Sequence, residues 1–317
     1  MFRKALVTGC AGFVGSHLCN ALVLQGWSVI GIDSFMDNYD KGIKERNLSG
    51  LLSKPNFKFV GQDLMKVPLD RLIKKIDCIF HLAAQPGVRD SWGQQFDSYV
   101  INNVLATQRL LEAAKNIDMK KFVYASSSSV YGNTDILPVS EAHPTRPYSP
   151  YGVTKLAAEN LCSLYYENYG VPVVSLRYFT VYGPRQRPDM GISSFINAIL
   201  KGLNIVVYGD GNQKRDFTYV ADVVSASILV AKSPVVGEVF NVGSGQPVAL
   251  MEVIRILENL TGQRCRIEYI HSQRGDVRHT CADIRKISGM LGFRPSFELD
   301  RGLKEQVAYM KQLIRKR

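Results

Sequence analysis

The chain has 317 residues, of which 46% are hydrophobic and 21% charged, with a formal net charge of +11. This length allows one large α/β domain, or a large domain with a smaller one attached. No run approaches the roughly 20 apolar residues of a membrane span, and the basic residues form no cluster with interleaved aromatic residues. We therefore expect no membrane and no nucleic-acid partner. The charge fits either a solvated surface or a cleft for a polyanionic small substrate.

The cysteines at positions 10, 19, 78, 162, 265 and 281 form no CxxC pair and have no histidine-flanked spacing. This distribution favours reduced thiols over disulfides or a zinc site, and we expect no metal. A strand pattern begins directly at Lys4, which leaves no room for a signal peptide. We therefore expect a cytoplasmic protein.

The first half of the chain alternates strand and helix patterns. The predicted strands span 4–8, 28–33, 57–60, 77–82, 121–127 and 172–178, and the predicted helices span 13–26, 99–115 and 151–169. Such alternation implies parallel strands joined by crossover helices. The fold class is therefore α/β, a Rossmann-type doubly wound parallel sheet.

After Gly183 the strand patterns become shorter. Strands are predicted over 205–208, 239–241 and 266–270, and helices near 191–202, 220–232, 249–261 and 299–314. We expect a smaller, mixed α/β C-terminal domain that binds the substrate. The predicted division is 1–180 for cofactor binding and 181–317 mainly for the substrate, with some later segments returning to the first domain.

A glycine-rich turn, TGCAGFVGSHL, stands between the first strand and the first helix. Gly9, Gly12 and Gly15 allow a tight turn, so that the helix N-terminus faces a pyrophosphate. The next strand ends at Asp33, whose carboxylate can bind both hydroxyls of an adenosine ribose and repels a 2′-phosphate. This pattern predicts NAD rather than NADP. The pairs Asp63-Leu64 and Ala83-Ala84 follow later strands, and their spacing fits packing and a nicotinamide ribose site equally well.

Tyr151 and Lys155 are four residues apart at the start of a predicted helix, and hence lie on one face. An ammonium group beside a phenol lowers the pKa of the phenol, as does a cationic nicotinamide ring. Tyr151 can then act as a general base near neutral pH. The segment SSSSVYG ends a predicted strand and offers a serine hydroxyl to a substrate hydroxyl.

Together these motifs resemble the extended short-chain dehydrogenase/reductase family, and within it the NAD-dependent nucleotide-sugar 4-epimerases. The similarity covers essentially the whole chain, from the glycine turn through HLAA, SSSSVYG and YxxxK to RDFTYV. The resemblance implies a homodimer formed through the helices near 99–115 and 151–169. It assigns catalysis to Ser127, Tyr151 and Lys155. It also implies that NAD is held by Gly9, Gly12, Phe13, Val14, Gly15, Asp33, Asp63, Leu64, Ala83, Ala84, Asn103, Tyr151, Lys155 and Phe179.

The resemblance implies a reaction at C4 of the sugar. Tyr151 removes the proton of the 4-hydroxyl, the sugar is oxidised to a 4-keto intermediate, and after rotation the hydride returns to its other face. Relatives that eliminate water or carbon dioxide carry an acidic residue after the catalytic hydroxyl. Ser128 and Ser129 stand there in this chain, and neither hydroxyl is a useful acid at neutral pH. Epimerisation is the reaction that remains.

The nucleotide part of the substrate is expected from the same resemblance to be UDP. Arg215 matches the arginine that binds the diphosphate, Tyr208 is placed to flank the uracil, and Asp276 matches the aspartate that holds the ribose. Galactose-type relatives have an arginine where this chain has Gln273 and a tyrosine where it has Thr280. We expect Arg89 or Arg278 to compensate for the first difference, and the second leaves space beside the sugar.

The sugar itself is indicated by the segments HLAAQPGVRDSW and TVYGPRQRPDM, which most closely resemble those of UDP-glucuronic acid 4-epimerases. A carboxylate at C6 needs a charge-assisted partner, and Arg187 is the candidate, with Thr180 adding a hydroxyl. Arg185 belongs to a more widespread YGPR segment and suits a role in fixing the loop. The predicted substrate contacts are Arg89, Ser127, Ser128, Thr180, Arg187, Tyr208, Arg215, Asp276 and Arg278.

Two alternatives remain beside a UDP-glucuronate to UDP-galacturonate epimerase. One is a UDP-glucose or UDP-N-acetylhexosamine 4-epimerase, for which Thr280 leaves room. The other, from a different class, is an NAD-binding scaffold without catalysis, and the intact Ser127, Tyr151 and Lys155 argue against it.

Overall fold

The computed structural model describes residues 3–315. Within this range the strands are β1 (Lys4–Thr8), β2 (Ser28–Ile32), β3 (Phe57–Val60), β4 (Cys78–His81), β5 (Lys121–Ser127), β6 (Val173–Tyr178), β7 (Thr180–Tyr182), β8 (Ile205–Tyr208), β9 (Lys214–Tyr219), β10 (Glu238–Val242), β11 (Pro247–Ala249) and β12 (Ile267–Ile270). The α-helices are α1 (Phe13–Leu24), α2 (Lys41–Leu52), α3 (Leu69–Leu72), α4 (Phe96–Tyr99), α5 (Ala106–Ala114), α6 (Pro150–Tyr169), α7 (Gly191–Lys201), α8 (Val220–Lys232), α9 (Leu250–Thr261), α10 (Arg285–Leu291) and α11 (Leu299–Arg315). A π-helical turn, Val100–Leu105, joins α4 and α5 into one continuous helix.

The main sheet has seven strands in the order β10-β6-β5-β4-β1-β2-β3, and every neighbouring pair is parallel. A parallel sheet is covered on both faces, so its central strands are apolar throughout. All seven residues of β5 are accordingly buried. Helices α3, α5 and α6 cover one face, and α1, α2 and α8 cover the other. The predicted doubly wound fold is confirmed.

The second half of the chain forms two further small sheets, β11-β9-β7 and β12-β8. The apolar residues of these sheets belong to the same buried cluster as β1, since Ile205 of β8 and Phe217 of β9 join Val7 in it. In addition, β10 returns to the main sheet beside β6. The division at residue 180 stays a prediction, because one continuous core passes through both parts. No helix within 3–315 has the length and apolar character needed to cross a membrane.

Several elements of the structure were not predicted from the sequence. These are the helices α2, α3 and α10 and the strands β7, β9 and β11. The segment RDFTYV, which the sequence analysis treated only as a motif, forms most of β9 and the start of α8. Two of the missed strands have only three residues each, too short for an alternating pattern to be visible.

Candidate active site

A cleft of about 450 Å³ lies at the carboxyl edge of the main sheet. The carboxyl ends of parallel strands meet at one edge, which is where ligands bind in open α/β sheets. Residues that follow β1, β2, β3, β4, β5 and β6 all line this cleft. The predicted site residues that line it are Gly9, Gly12, Phe13, Val14, Gly15, Asp33, Asp63, Leu64, Ala83, Ala84, Ser127, Ser128, Tyr151, Lys155, Phe179, Thr180 and Arg187.

The glycine turn between β1 and α1 folds closely onto itself. Gly9 has a positive φ of 72°, and a Cβ at Gly15 would lie 2.1 Å from the carbonyl oxygen of Gly9. Side chains are therefore excluded at these positions, and Phe13, Val14 and Gly15 at the start of α1 line the cleft. A helix N-terminus with this approach binds phosphate groups. The turn fits the pyrophosphate of a dinucleotide.

Asp33 follows β2 and holds two backbone segments of the cleft wall. Its carboxylate accepts hydrogen bonds from the N–H of Ala11 (3.0 Å) and of Phe35 (2.9 Å). Burial raises the pKa of Asp33, while the bond from Phe35 and the positive Lys44 act against this rise. Each carboxylate oxygen keeps a second lone pair for a ribose hydroxyl. The residue thus fits the adenosine ribose that the sequence analysis assigned to it.

Lys44, near the start of α2, lines the same part of the cleft and was missed by the sequence analysis. Its Nζ donates to the Asn38 side chain (2.8 Å) and the Met36 carbonyl (2.5 Å), and lies 4.6 Å from the centroid of the Tyr39 ring. The available signal was Asp40, an N-cap residue that accepts a hydrogen bond from the N–H of Ile43. Recognising that cap would have predicted α2 and placed Lys44 in its first turn.

The predicted catalytic residues come from the end of β5 and the start of α6. Ser149 caps α6 by accepting a hydrogen bond from the N–H of Gly152 (3.1 Å), and Pro150 occupies the first helical position. The helix start packs tightly against the end of β5, because a Cβ at Gly152 would lie 2.6 Å from the carbonyl oxygen of Ser129. This contact places Tyr151 beside the Ser127 hydroxyl.

The protonation of Tyr151 differs from the expectation. Burial raises the pKa of Tyr151, and it outweighs a hydrogen bond with Ser127 and the positive charge of Arg187, both of which lower it. The expected lowering by Lys155 is not among these causes, so it stays a prediction for the NAD-bound protein. Burial also lowers the pKa of Lys155 to about 8. Lys155 Nζ lies 4.7 Å from the centroid of the Tyr124 ring.

A buried ion pair lies next to the predicted catalytic residues. Glu159, one turn after Lys155 on α6, accepts a hydrogen bond from Ser126 Oγ (2.6 Å) and pairs with Arg177 of β6 (2.5 Å). Arg177 also donates to the Tyr131 hydroxyl (2.9 Å). The pair therefore ties α6 to β5 and β6 directly next to the cleft.

Asn103 does not line the cleft, although the sequence analysis assigned it to the cofactor. It is buried in the π-helical turn, where Oδ1 accepts from the N–H of Gln85 (2.7 Å) and Nδ2 donates to Thr154 Oγ1 (2.9 Å). These bonds connect the loop after β4 to α6. The neighbouring Asn102 lines the cleft instead. A cofactor contact of Asn103 stays a prediction.

The remaining predicted substrate residues form a second cluster, in which Arg89 from the segment after β4 meets residues of the C-terminal half. Arg89 bonds to Asp276 (2.9 Å) and covers one face of Tyr208, with Cζ 3.6 Å from the ring centroid. Arg278 pairs with Asp210 (2.9 Å). This cluster adjoins the cleft, because a Cβ at Gly275 would lie 2.9 Å from Val88, which lines the cleft.

Arg215 and Thr280 are engaged with backbone in the same cluster. The Arg215 guanidinium donates to the carbonyl oxygens of Val277 (2.6 Å) and Arg278 (2.9 Å), so it holds the loop that carries Asp276. Thr280 Oγ1 accepts from the N–H of Asp216 (3.1 Å). The predicted contact of Arg215 with the diphosphate stays a prediction.

The loop after β7 brings Arg187 into the cleft. The Arg187 side chain is only 15% exposed and pairs with Asp189 of the same loop (3.1 Å), whose side chain is 55% exposed. Arg185 lies elsewhere: with the Asn20 amide on α1 oriented so that its oxygen faces the guanidinium, both terminal nitrogens of Arg185 donate to it, at 2.9 and 3.0 Å. His17, also on α1, hydrogen-bonds to the carbonyl oxygen of Pro184 (2.8 Å).

Comparison with known proteins gives consistent matches. Residues 5–243 match the NAD dependent epimerase/dehydratase family. The UDP-glucuronate 4-epimerase of Thermodesulfobacterium geofontis is 38% identical over 98% of this chain and 96% of its own length. The protein named "Uncharacterized UDP-glucose epimerase YtcB" of Bacillus subtilis is 42% identical over 98% of both chains.

A solved structure is also similar over the full length. The UDP-glucuronic acid 4-epimerase of Bacillus cereus, crystallised with UDP-glucuronic acid and NAD, superimposes with a TM-score of 0.95 at 43% identity, covering 98% of this chain and 99% of that chain. The predicted NAD cofactor is confirmed by the family and by the fit of the glycine turn and Asp33. The chain belongs to the NAD dependent epimerase/dehydratase family of extended short-chain dehydrogenases/reductases.

Proposed function

We propose that this protein is an isomerase that converts UDP-glucuronate to UDP-galacturonate by epimerisation at C4, through a transient 4-keto sugar. The observation that carries this proposal is the position of Arg187, a largely buried guanidinium in the same cleft as Tyr151. It is near enough for its charge to lower the pKa of Tyr151. The names of the relatives from T. geofontis and B. cereus support the same substrate.

The residues that would hold NAD are those of the glycine turn, with Asp33 at the adenosine ribose. Lys44 adds a positive charge beside Asp33, and Lys155 provides an ammonium group in the inner part of the cleft. When bound, NAD accepts the hydride of C4 and returns it, and its positive ring favours the ionised form of a nearby tyrosine.

Tyr151 accepts the proton of the 4-hydroxyl and later gives it back, which makes it the general base and then the general acid. Ser127 lies beside the Tyr151 hydroxyl, where it lowers the pKa of Tyr151, and it offers its own hydroxyl to the sugar. Lys155 is buried on the same helix face, one turn further on. Its ammonium group stabilises the negative charge that forms on Tyr151 when the proton is lost.

Arg187 binds the C6 carboxylate, and Thr180 of β7 supplies a hydroxyl to the same group. Both line the cleft. The 4-keto form of a uronate is a β-keto acid, which loses carbon dioxide when the breaking bond aligns with the carbonyl π-system. A guanidinium that fixes the carboxylate away from that alignment preserves the intermediate. Ser128 and Ser129 also line the cleft and offer no acid for an elimination.

The UDP part would bind at the cluster of Arg89, Tyr208 and Asp276 beside the cleft. Arg89 covers one face of the Tyr208 ring, so a uracil would stack on the opposite face or displace the guanidinium. Arg89 and Arg278 are both half-exposed and can turn towards a diphosphate, because their partners Asp276 and Asp210 are themselves accessible.

A second candidate is a UDP-glucose 4-epimerase, and the name of the B. subtilis relative favours it. A neutral hydroxymethyl group at C6 needs no arginine, however, and burying a guanidinium beside it would cost free energy. The position of Arg187 therefore favours the uronate.

We also propose that the protein forms a homodimer through the helices α4–α5 and α6. Four apolar side chains on these helices are exposed: Ile101 (43%), Leu105 (45%), Val153 (50%) and Leu164 (51%). A monomer in analytical ultracentrifugation at micromolar concentration would contradict this proposal. The location in the cytoplasm stays a prediction.

The function is tested by offering UDP-glucuronate and UDP-glucose separately to the purified protein and resolving the products by NMR. No cofactor is added at first, and NAD is then supplied in a second series. We expect UDP-galacturonate from the first sugar in at least one series. Turnover of UDP-glucose alone would contradict the proposal.

A further inference from the structure

The loop of residues 183–190 directs its three central side chains to three different parts of the protein. Arg185 binds Asn20 on α1, Gln186 is buried, and Arg187 lines the cleft. Arg185 has a positive φ of 66°, a conformation that residues other than glycine, asparagine and aspartate rarely adopt. Such a backbone persists only where its surroundings enforce it. The loop is therefore held firmly from both sides.

Gln186 is the inner attachment of this loop. It is 8% exposed, and its Nε2 donates to the carbonyl oxygen of Val181 (2.9 Å). Its Oε1 accepts from the N–H of Ser193 (3.1 Å), in the first turn of α7. The first N–H groups of a helix have no partner within the helix. The Gln186 side chain thus serves α7 as a cap, immediately before Arg187 in the sequence.

Gln306 of α11 completes the attachment from the opposite end of the chain. It is 1% exposed, and its Oε1 accepts from the N–H of Gly183 (2.9 Å). Its Nε2 donates to Gln186 Oε1 (2.8 Å) and to Ser193 Oγ (3.1 Å). The two amides therefore form a closed set of bonds with Gly183 and Ser193. Because buried amides are costly when they lose a partner, the loop cannot shift without breaking this set.

The ion pair of Arg187 cannot fix the guanidinium by itself. Its partner Asp189 belongs to the same loop and is more than half exposed, and such pairs contribute little. The position of Arg187 in the cleft consequently depends on the backbone on either side of it. That backbone is fixed by Gln186 and Gln306.

We propose that Gln306, together with Gln186, positions Arg187 and so determines the preference of the site for a C6 carboxylate over a hydroxymethyl group. The inference rests on the proposed function, because it assumes that Arg187 binds the uronate. Gln306 itself lines no part of the cleft, so it acts through the loop and is a positioning residue.

The test measures dissociation constants for UDP-glucuronate and UDP-glucose by isothermal titration calorimetry. The protein carries Tyr151→Phe, so that turnover of either sugar during the titration is slowed about 1,000-fold, and is loaded with NAD. Gln306→Ala removes the amide, and Gln306→Glu keeps the acceptor for Gly183 but loses both donors. Gln312→Ala is the matched control, because Gln312 is an exposed glutamine on the same helix.

We expect Gln306→Ala to weaken UDP-glucuronate binding by about tenfold and UDP-glucose binding by less than about twofold, since only the carboxylate contact is misplaced. The dissociation constant of Gln306→Glu for UDP-glucuronate should lie between those of Gln306→Ala and the parent. Gln312→Ala should have the same constants as the parent. If Gln306 only stabilised the fold, its loss would weaken the binding of both sugars equally. An unchanged ratio of the dissociation constants for UDP-glucuronate and UDP-glucose would therefore overturn the inference. If Gln306→Ala does not fold, the ratio for Gln306→Glu decides in the same way.

The same titration separates the two levels of the proposal. If the parent protein binds UDP-glucuronate no better than UDP-glucose, both the proposed function and this inference are overturned. If the parent prefers the uronate and the Gln306 variants keep that preference in full, only the inference fails.

Discussion

Arg185 and Arg187 lie on one loop, separated by a single residue, yet their guanidinium groups have different partners. Arg185 is bonded to Asn20 of α1, whereas Arg187 lines the cleft and pairs only with the half-exposed Asp189 among the salt bridges of residues 3–315. The first arginine therefore belongs to the structure of the loop. The second is available to a ligand anion, since a carboxylate can replace or add to Asp189.

Replacing Arg187 tests this difference. Arg187→Ala should reduce kcat/KM for UDP-glucuronate by about 100-fold, because a charge-assisted hydrogen-bonded pair with the carboxylate is lost. The remaining product should include a UDP-pentose, formed when the unpinned keto acid loses carbon dioxide. Kinetics and product NMR measure both effects.

Arg185→Ala is the matched comparison for Arg187→Ala. It should lower the melting temperature, because a bonded and partly buried side chain is lost, while the preference for UDP-glucuronate over UDP-glucose persists. If Arg187→Ala lost activity without any pentose, the pinning role would lose support. Equal effects of the two substitutions on sugar preference would contradict the assignment of Arg187.

Tyr151→Phe removes only the hydroxyl of the proposed base. We expect kcat to fall by about 1,000-fold, within the range known for general acid–base catalysis. NAD binding and the melting temperature should stay close to those of the wild type, because the ring still packs edge-on against Tyr99 at 6.3 Å. Retention of more than about a tenth of the activity would mean that another group takes the proton.

Asp33→Asn tests the choice of cofactor. The amide is nearly isosteric but removes the negative charge that repels a 2′-phosphate, and Lys44 then lies beside a neutral group. We expect the dissociation constant of NAD to rise about tenfold and that of NADP to fall. The preference for NAD over NADP should therefore decrease by at least about tenfold. Asp37→Asn, at an exposed position on the same loop, is the control. Unchanged selectivity in a titration by intrinsic fluorescence would count against a ribose contact.

The buried Lys155 should give a stability that depends on pH. Its pKa falls from 10.5 to about 8 in the folded protein, because burial penalises the charged form. Between these values the unfolded state binds more protons, so the stability of the wild type relative to Lys155→Met should rise with pH. The rise should reach about 3 kcal/mol between pH 7 and 10.5, measured by urea unfolding. If the difference in unfolding free energy between the wild type and Lys155→Met stayed constant or fell with pH, burial would not be lowering the pKa of Lys155.

Substitutions of Glu159 and Arg177 should have strongly non-additive effects on the free energy of unfolding. Arg177→Met leaves a buried carboxylate without its partner, which costs about 3 kcal/mol or more of unfolding free energy. Adding Glu159→Gln removes that charge and keeps an acceptor for Ser126, so the double variant should be more stable than Arg177→Met. Urea unfolding of all four proteins of this cycle gives the coupling energy. Simple additivity of the two substitutions would contradict a direct interaction.

The sequence predicts the parts of this protein that depend on neighbours along the chain. The six strands from β1 to β6 and the glycine turn follow from short-range patterns, and the pair Tyr151 and Lys155 follows from helical spacing. Each of these needs only a few consecutive residues. The main sheet was therefore correctly described, and the predicted glycine turn lines the cleft at its edge.

Contacts between distant parts of the chain could not be predicted from such short-range patterns. β9 becomes a strand because it pairs with β7 and β11, and Gln186 is fixed by Gln306 on the last helix. The raised pKa of Tyr151 also depends on burial, which no spacing reveals. Asn103 matched a family position, but its amide is bonded to Gln85 and Thr154 within the protein.

The most direct test of the account uses UDP-glucuronate labelled with deuterium at C4. The purified protein is incubated with it in water, and the product is identified by NMR. The account predicts UDP-galacturonate that still carries the deuterium at C4, because the hydrogen removed from that carbon is returned to it. Loss of the label to the solvent, or no reaction of the uronate while UDP-glucose is converted, would contradict it.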